Sequence, residues 1–125
     1  MAGERILVVD DEAEITDLLI DVLVAEGFVV DAAADAKSAL QLIGETLYDV
    51  ALLDFNLPDM DGVMLHHQIR QMDAELAART IFISGLLQTE GNLGYYMSQS
   101  AGFLAKPFDL RDVLRQVREV IADEA

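Results

Sequence analysis

The feature that most restricts this chain is a set of short apolar runs, each stopping on a polar or charged residue. Ile6-Leu-Val-Val9 stops at Asp10-Asp11, Val50-Ala-Leu-Leu53 at Asp54, Thr80-Ile-Phe-Ile83 at Ser84, and Gly102-Phe-Leu-Ala105 at Lys106. A fifth run, Phe28-Val-Val30, is shorter and passes into Asp31. The first two runs are continuous rather than alternating, which suits strands covered by helices on both faces.

Helical patterns fill the gaps. Ile15, Leu18, Leu19, Val22 and Leu23 follow the i, i+3, i+4, i+7, i+8 spacing of one buried stripe, and Gly27 supplies a stop. Ala39, Leu40 and Ile43 predict a second helix ending near Gly44, and Val63 to Met72 a third. Leu110, Val113, Leu114, Val117 and Ile121 predict a last one, with Arg111, Arg115 and Arg118 on a solvated face. Gln88 to Ser100 is the weakest stretch: a fourth helix is expected there, short or mobile, because Gly91 and Gly94 each cost about 1 kcal/mol against Ala in a helix interior. Five β-α alternations favour an α/β fold with an open, mostly parallel sheet and helices on both faces. Ligands in such sheets bind beyond the carboxyl ends of the strands, and that is the edge to which Asp10, Asp11, Asp54, Ser84 and Lys106 are delivered.

The 125 residues suit one compact domain, and 53% apolar content is enough to build a core rather than a disordered chain. With no cysteine there is no thiol nucleophile or thiolate metal site. Met1 to Arg5 carries no signal-peptide pattern and no run reaches membrane-span length, so a cytoplasmic protein without membrane contact is expected. A net charge of −15 repels phosphate backbones, which argues against direct nucleic-acid binding and favours basic partner surfaces and divalent cations.

Were the carboxylates of Asp10, Asp11 and Asp54 about 5 Å apart, each ionised pair would repel by roughly 3 kcal/mol at an effective dielectric of about 20. A raised pKa, a lysine or a metal must offset this. All-oxygen ligands without nearby His or Cys suit Mg2+ or Mn2+, and Lys106 offers a further positive charge.

Asp10-Asp11, the segment Asp54-Phe-Asn-Leu-Pro-Asp-Met-Asp-Gly62, Ser84 and Lys106-Pro107-Phe108, in this order over essentially the whole chain, resemble the receiver domain of two-component response regulators. The resemblance implies one receiver domain over residues 1–125, with a flavodoxin-like three-layer sandwich, strand order 2-1-3-4-5 and five helices. It implies a phosphorelay switch in which Asp54 accepts a phosphoryl group from a phosphohistidine on a histidine kinase or histidine phosphotransfer protein. Asp11, Asp54 and the backbone carbonyl of Asn56 would ligate Mg2+, with Asp10 acting mainly through metal-bound water. Lys106 would pair with Asp54 and then with the phosphoryl group, Ser84 would donate its hydroxyl, and Lys106-Pro107 would be cis. Ser84 and Phe103 would form the switch, remodelling the last two helices and the strand between them. A plain core role for Phe103 stands beside this reading.

Gly85 after Ser84, and Tyr95-Tyr96 in the fourth helix, depart from the family's habit and leave the usual partner surface open. Other functions compete. A metal-dependent aspartyl-phosphate phosphohydrolase of the haloacid-dehalogenase kind wants an acid two residues after its nucleophile, where this chain has Asn56. A flavin or nucleotide domain of similar topology would want a glycine-rich phosphate loop, and none follows the first strand. A receiver-like module that binds partners without being phosphorylated is the remaining alternative. Turnover of an external substrate is not expected. His66 and His67, adjacent on a helix, read as surface or half-buried side chains.

Overall fold

Parallel strands that are apolar on both faces need a helical layer on each side, and the chain folds accordingly. A computed structural model describes residues 3–84 and 101–124. Among these residues, β1 (Arg5–Val9), β2 (Val29–Ala33), β3 (Val50–Asp54), β4 (Thr80–Ser84) and β5 (Gly102–Ala105) form one sheet in the order β2-β1-β3-β4-β5. Every neighbouring pair is parallel. The helices are α1 (Ala13–Ala25), α2 (Ala36–Glu45), α3 (Gly62–Met72), α4 (Ala74–Ala78) and α5 (Leu110–Glu124). This is the expected three-layer, flavodoxin-like sandwich.

Alternate residues of each strand feed two separate cores. Ile6 and Val8 of β1 join Leu19 and Leu23 of α1 and Val113 and Val117 of α5, together with Leu52, Ile81 and Leu104. Leu7 and Val9 point the other way, to Ala39 and Ile43 of α2, Leu65 and Ile69 of α3, and Leu76 of α4. Full burial of one such side chain contributes about 1.5–3 kcal/mol. The central strands β3 and β4 are buried along their whole length, which is why their runs are continuous.

Strand β2 differs from its predicted span, beginning at Val29 and continuing through Asp31 to Ala33. An edge strand tolerates the acid: Asp31 accepts a 2.7 Å hydrogen bond from the Tyr48 hydroxyl and lies 3.7 Å from the Arg5 guanidinium. Helix α1 stops where predicted, with Gly27 at φ 96° and its N–H bonded to the Val24 carbonyl. Helix α2 runs one residue past Gly44. The short α4 has no periodicity to announce it; Asp73 ends α3 and caps α4 by accepting the Leu76 N–H. The helix expected within 88–100, with Gly91, Gly94, Tyr95 and Tyr96, lies outside the described residues, as does Gly85.

One side chain departs from its expected place. His66 is fully buried rather than surface or half-buried. It donates from Nε2 to the Ala77 carbonyl at 2.7 Å, joining α3 to α4, and meets the Phe82 ring edge-on at 5.2 Å. The arginines lie on the expected solvated face and form ion pairs there: Arg111 with Asp109, Arg115 with Asp112 and Glu119, and Arg118 with Glu26 of α1. At the sheet's outer edge, Gln116 of α5 accepts the Phe103 N–H at 3.1 Å and donates to the Phe103 carbonyl at 3.0 Å. Gly102 makes room, since a Cβ there would stand 2.2 Å from Gln116 Oε1. No helix among the described residues is long and apolar enough to cross a membrane.

Candidate functional site

Three strand ends converge. Asp10 follows β1, Asp54 closes β3 and Lys106 follows β5. The backbone fixes each one. The Asp10 N–H bonds to the Ala33 carbonyl at 3.1 Å and the Lys106 N–H to the Ser84 carbonyl at 2.7 Å. Asp10 and Asp54 are 2% and 3% exposed, so both carboxyl groups are largely withdrawn from water. Asp10 Oδ1 accepts the Glu12 N–H at 2.8 Å, and Asp54 Oδ1 accepts the Asn56 N–H at 3.1 Å.

Lys106 Nζ closes the group. It lies 3.0 Å from Asp10 Oδ2, 3.3 Å from Asp54 Oδ2 and 2.5 Å from Glu12 Oε1. The approach to Asp10 is an ion pair, and the buried Asp10 Oδ2 has no hydrogen-bond partner. Burial by itself would lower the Lys106 pKa. Contact with Glu12 and Asp10 and the charge of Asp54 outweigh it and hold the ammonium above its ordinary value. Asp54 moves the other way. Burial lifts its pKa from 3.8 to about 6, with the charge of Asp10 adding, against the Asn56 N–H and Lys106.

One oxygen each from Asp10, Glu12 and Asp54 lies within 4.8 Å of the others. Three carboxylates facing one ammonium leave a surplus of negative charge that suits a divalent cation. The donors are all oxygen, and Asp10 Oδ2 carries no hydrogen bond beside its ion pair with Lys106. The buried carboxylates of Asp10 and Asp54 fit Mg2+, while the exposed Glu12 carboxylate is taken by Lys106.

The loop after Asp54 is held to a fixed path. Phe55 and Leu57 are buried, the Gly62 N–H bonds to the Phe55 carbonyl at 2.8 Å, and Asn56 bridges to Asp61. A Cβ on Gly62 would stand 2.7 Å from the Phe55 ring and 2.9 Å from its Cα, so this close approach requires glycine. Asp59 reaches across to the start of α2, accepting the Ala36 and Lys37 N–H groups at 2.9 and 3.1 Å.

A family model described as the response regulator receiver domain matches residues 6–118. The chain belongs to this family. The receiver is 32% identical to the chemotaxis protein CheY of Bacillus subtilis over 120 residues, covering 95% of this chain and 98% of that one. It is 38% identical to the regulatory protein VanRc of Enterococcus gallinarum over 121 residues, 93% of this chain but 49% of that protein. It therefore spans about half the length of several regulatory proteins that it matches. Among solved structures, a CheY-like receiver domain from Methanospirillum hungatei superposes with a TM-score of 0.89 at 29% identity, covering 98% of this chain and 96% of that one.

Of the residues singled out in the sequence, Asp10, Asp54 and Lys106 meet directly. Asp11 is exposed and is not among the acids within 4.8 Å of one another; Glu12, which sequence reasoning passed over, is. Its signal was an acid directly after Asp10-Asp11 at the start of a helix. Asn56 is exposed and contributes its N–H to Asp54. Ser84 is buried at the end of β4, in the register that pairs it with Ala105. Phe103 is half-buried on β5 beside Phe82, packed against the core that holds α2 and α3. The Lys106–Pro107 bond is cis.

Proposed function

We propose that this receiver is a phosphoacceptor switch of two-component phosphorelay signalling, with Asp54 taking a phosphoryl group from a phosphohistidine on a histidine kinase or histidine phosphotransfer protein. The observation that carries this reading is the convergence of Asp10, Asp54 and Lys106 from separate strand ends on one point of the sheet edge. In the transfer, an oxygen of Asp54 forms a bond to phosphorus as the donor's phosphorus–nitrogen bond breaks. The electron pair stays on the imidazole nitrogen, and an acyl phosphate remains on Asp54.

Such a transfer needs positioning and charge neutralisation more than covalent assistance. Asp54 is fixed by the Asn56 N–H and by Lys106, and the same ammonium is placed to take a phosphoryl oxygen. Ser84 supplies a hydroxyl from the next strand end. Asp10, Asp11, Asp54 and the Asn56 carbonyl are the groups that would hold Mg2+, or Mn2+ with the same oxygen ligands. When bound, the cation supplies neutralisation of the phosphoryl oxygens.

Phosphorylation shifts a conformational equilibrium only as far as it favours one state over the other. Ser84 at the end of β4 and Phe103 on β5 are the switch pair, and the output is the surface of β5 and of the two helices that the sequence leads one to expect on either side of it. Residues 1–125 act as one receiver domain in the cytoplasm, without turnover of an external substrate.

Incubation with Mg2+ and a small acyl phosphate tests this. Mass spectrometry should find one added phosphoryl group, lost in Asp54→Ala and on chelation of the cation. Label that persists in Asp54→Ala, or multiple turnover of a phosphate ester, would refute the assignment.

A further inference from the structure

A lysine ammonium has three N–H groups, and here Lys106 faces three carboxylates, those of Asp10, Asp54 and Glu12. It donates hydrogen bonds to Glu12 and Asp54 and is ion-paired with Asp10, so a phosphoryl oxygen arriving at Asp54 must compete with these carboxylates for the ammonium. Asp10 and Asp54 are poor candidates to move, being buried and each held at its second oxygen by a backbone N–H. The Glu12 side chain is 59% exposed and bound by neither restraint.

The place of Glu12 in the chain adds a second observation. It is the N-cap residue of α1, a position that favours Ser, Thr, Asp or Asn because a short side chain can accept a helix N–H. Glu12 makes no such bond. Among the described helices with a capping residue, α2, α3 and α4 each have an aspartate that does. The Glu12 carboxylate is turned instead toward Lys106, far along the chain on the other side of β3.

We propose that Glu12 is a positioning residue that tethers Lys106 in the resting receiver and surrenders it to the phosphoryl group, so that its carboxylate opposes phosphorylation. The inference rests on the phosphoacceptor role of Asp54. A tether that stabilises only the starting state must be broken on the way to the product, and its strength appears in full as a slower reaction. Exposed ion pairs of this kind correspond to roughly two- to fivefold in an equilibrium or rate.

The experiment compares the native chain, Glu12→Ala, Lys106→Ala and the double variant. With no metal or phosphodonor present, the Lys106 Nζ resonance should move in Glu12→Ala at fixed pH and move back partway in Glu12→Gln, whose amide oxygen still accepts. With saturating Mg2+ and a small acyl phosphate, Glu12→Ala should react about two- to fivefold faster, and the gain should vanish in the Lys106→Ala background. Mg2+ affinity, followed by NMR, should stay within about threefold of native. The tether is overturned by an unmoved Nζ resonance, an unchanged or slower reaction, or an equal gain without Lys106, which would mark simple charge repulsion. A tenfold loss of Mg2+ affinity would make Glu12 a metal ligand and overturn it too. If no variant and no native protein takes a phosphoryl group at Asp54, the phosphoacceptor reading fails, and the resonance and Mg2+ arms still decide the tether.

Discussion

Replacing Asp54 by Asn should make the ion-free fold more stable at neutral pH, because Asn imitates the protonated acid. The Asp54 carboxyl is almost wholly withdrawn from water, and burial, helped by the charge of Asp10, raises its pKa from 3.8 to about 6. The folded protein thus holds this proton more tightly than the unfolded chain does. The resulting stability is fully present below pH 3.8 and is lost as pH rises through about 6. At pH 7.5 the ionised group would cost folding about 3 kcal/mol. Water at the open side of the site, where Glu12 meets solvent, screens this to about 1–2 kcal/mol. With an m-value of about 1–3 kcal/mol/M, the urea midpoint of Asp54→Asn in EDTA should lie roughly 0.5–1 M above that of the native chain. Repeating the titration at pH 5, still above the sequence pI of about 4.1, should narrow the gap. Mg2+ should then stabilise the native chain more than the variant. An Asn variant less stable at pH 7.5, or a gap indifferent to pH, would refute the electrostatic account.

Burial lowers the pKa of His66, against the pull of the Ala77 carbonyl, so the ring is neutral in the fold. Its contribution is present above its ordinary 6.5 and is lost as pH falls through the lowered value. The thermal midpoint should therefore drop on acidification below that point, and histidine-detected NMR should place the His66 titration below the ordinary 6.5. Gly62→Ala forces a methyl against the Phe55 ring and Cα. We expect it to destabilise the chain by about 1–3 kcal/mol in chemical denaturation.

The sheet was legible because β1, β3 and β4 are apolar on both faces and end abruptly, which tells strand from loop and names the edge where chemistry collects. Asp10, Asp54 and Lys106 followed from that one rule. What escaped notice lacked such a signal. Glu12 is exposed by its nature as a long acid and acts at a distance that only the strand order creates. His66 falls on the same helical face as Leu65 and Ile69, and that stripe should have outweighed the polarity of the ring. Strand β2 lies at an edge, where packing on both sides no longer dictates composition. Helix α4 is a single turn held by a cap and by its neighbours, and Asp59 works across a gap in sequence.

The bond from Gln116 to the backbone of Phe103 has a consequence beyond its own element. Its carboxamide has the shape and polarity of a peptide unit, and it stands where the backbone of a sixth strand would otherwise pair. Open borders of this kind invite strangers to add themselves, and proteins commonly deter them with lysines, prolines or bulges. Here a mimic from α5 occupies the outward backbone groups of Phe103, which opposes strand addition at that point of the edge.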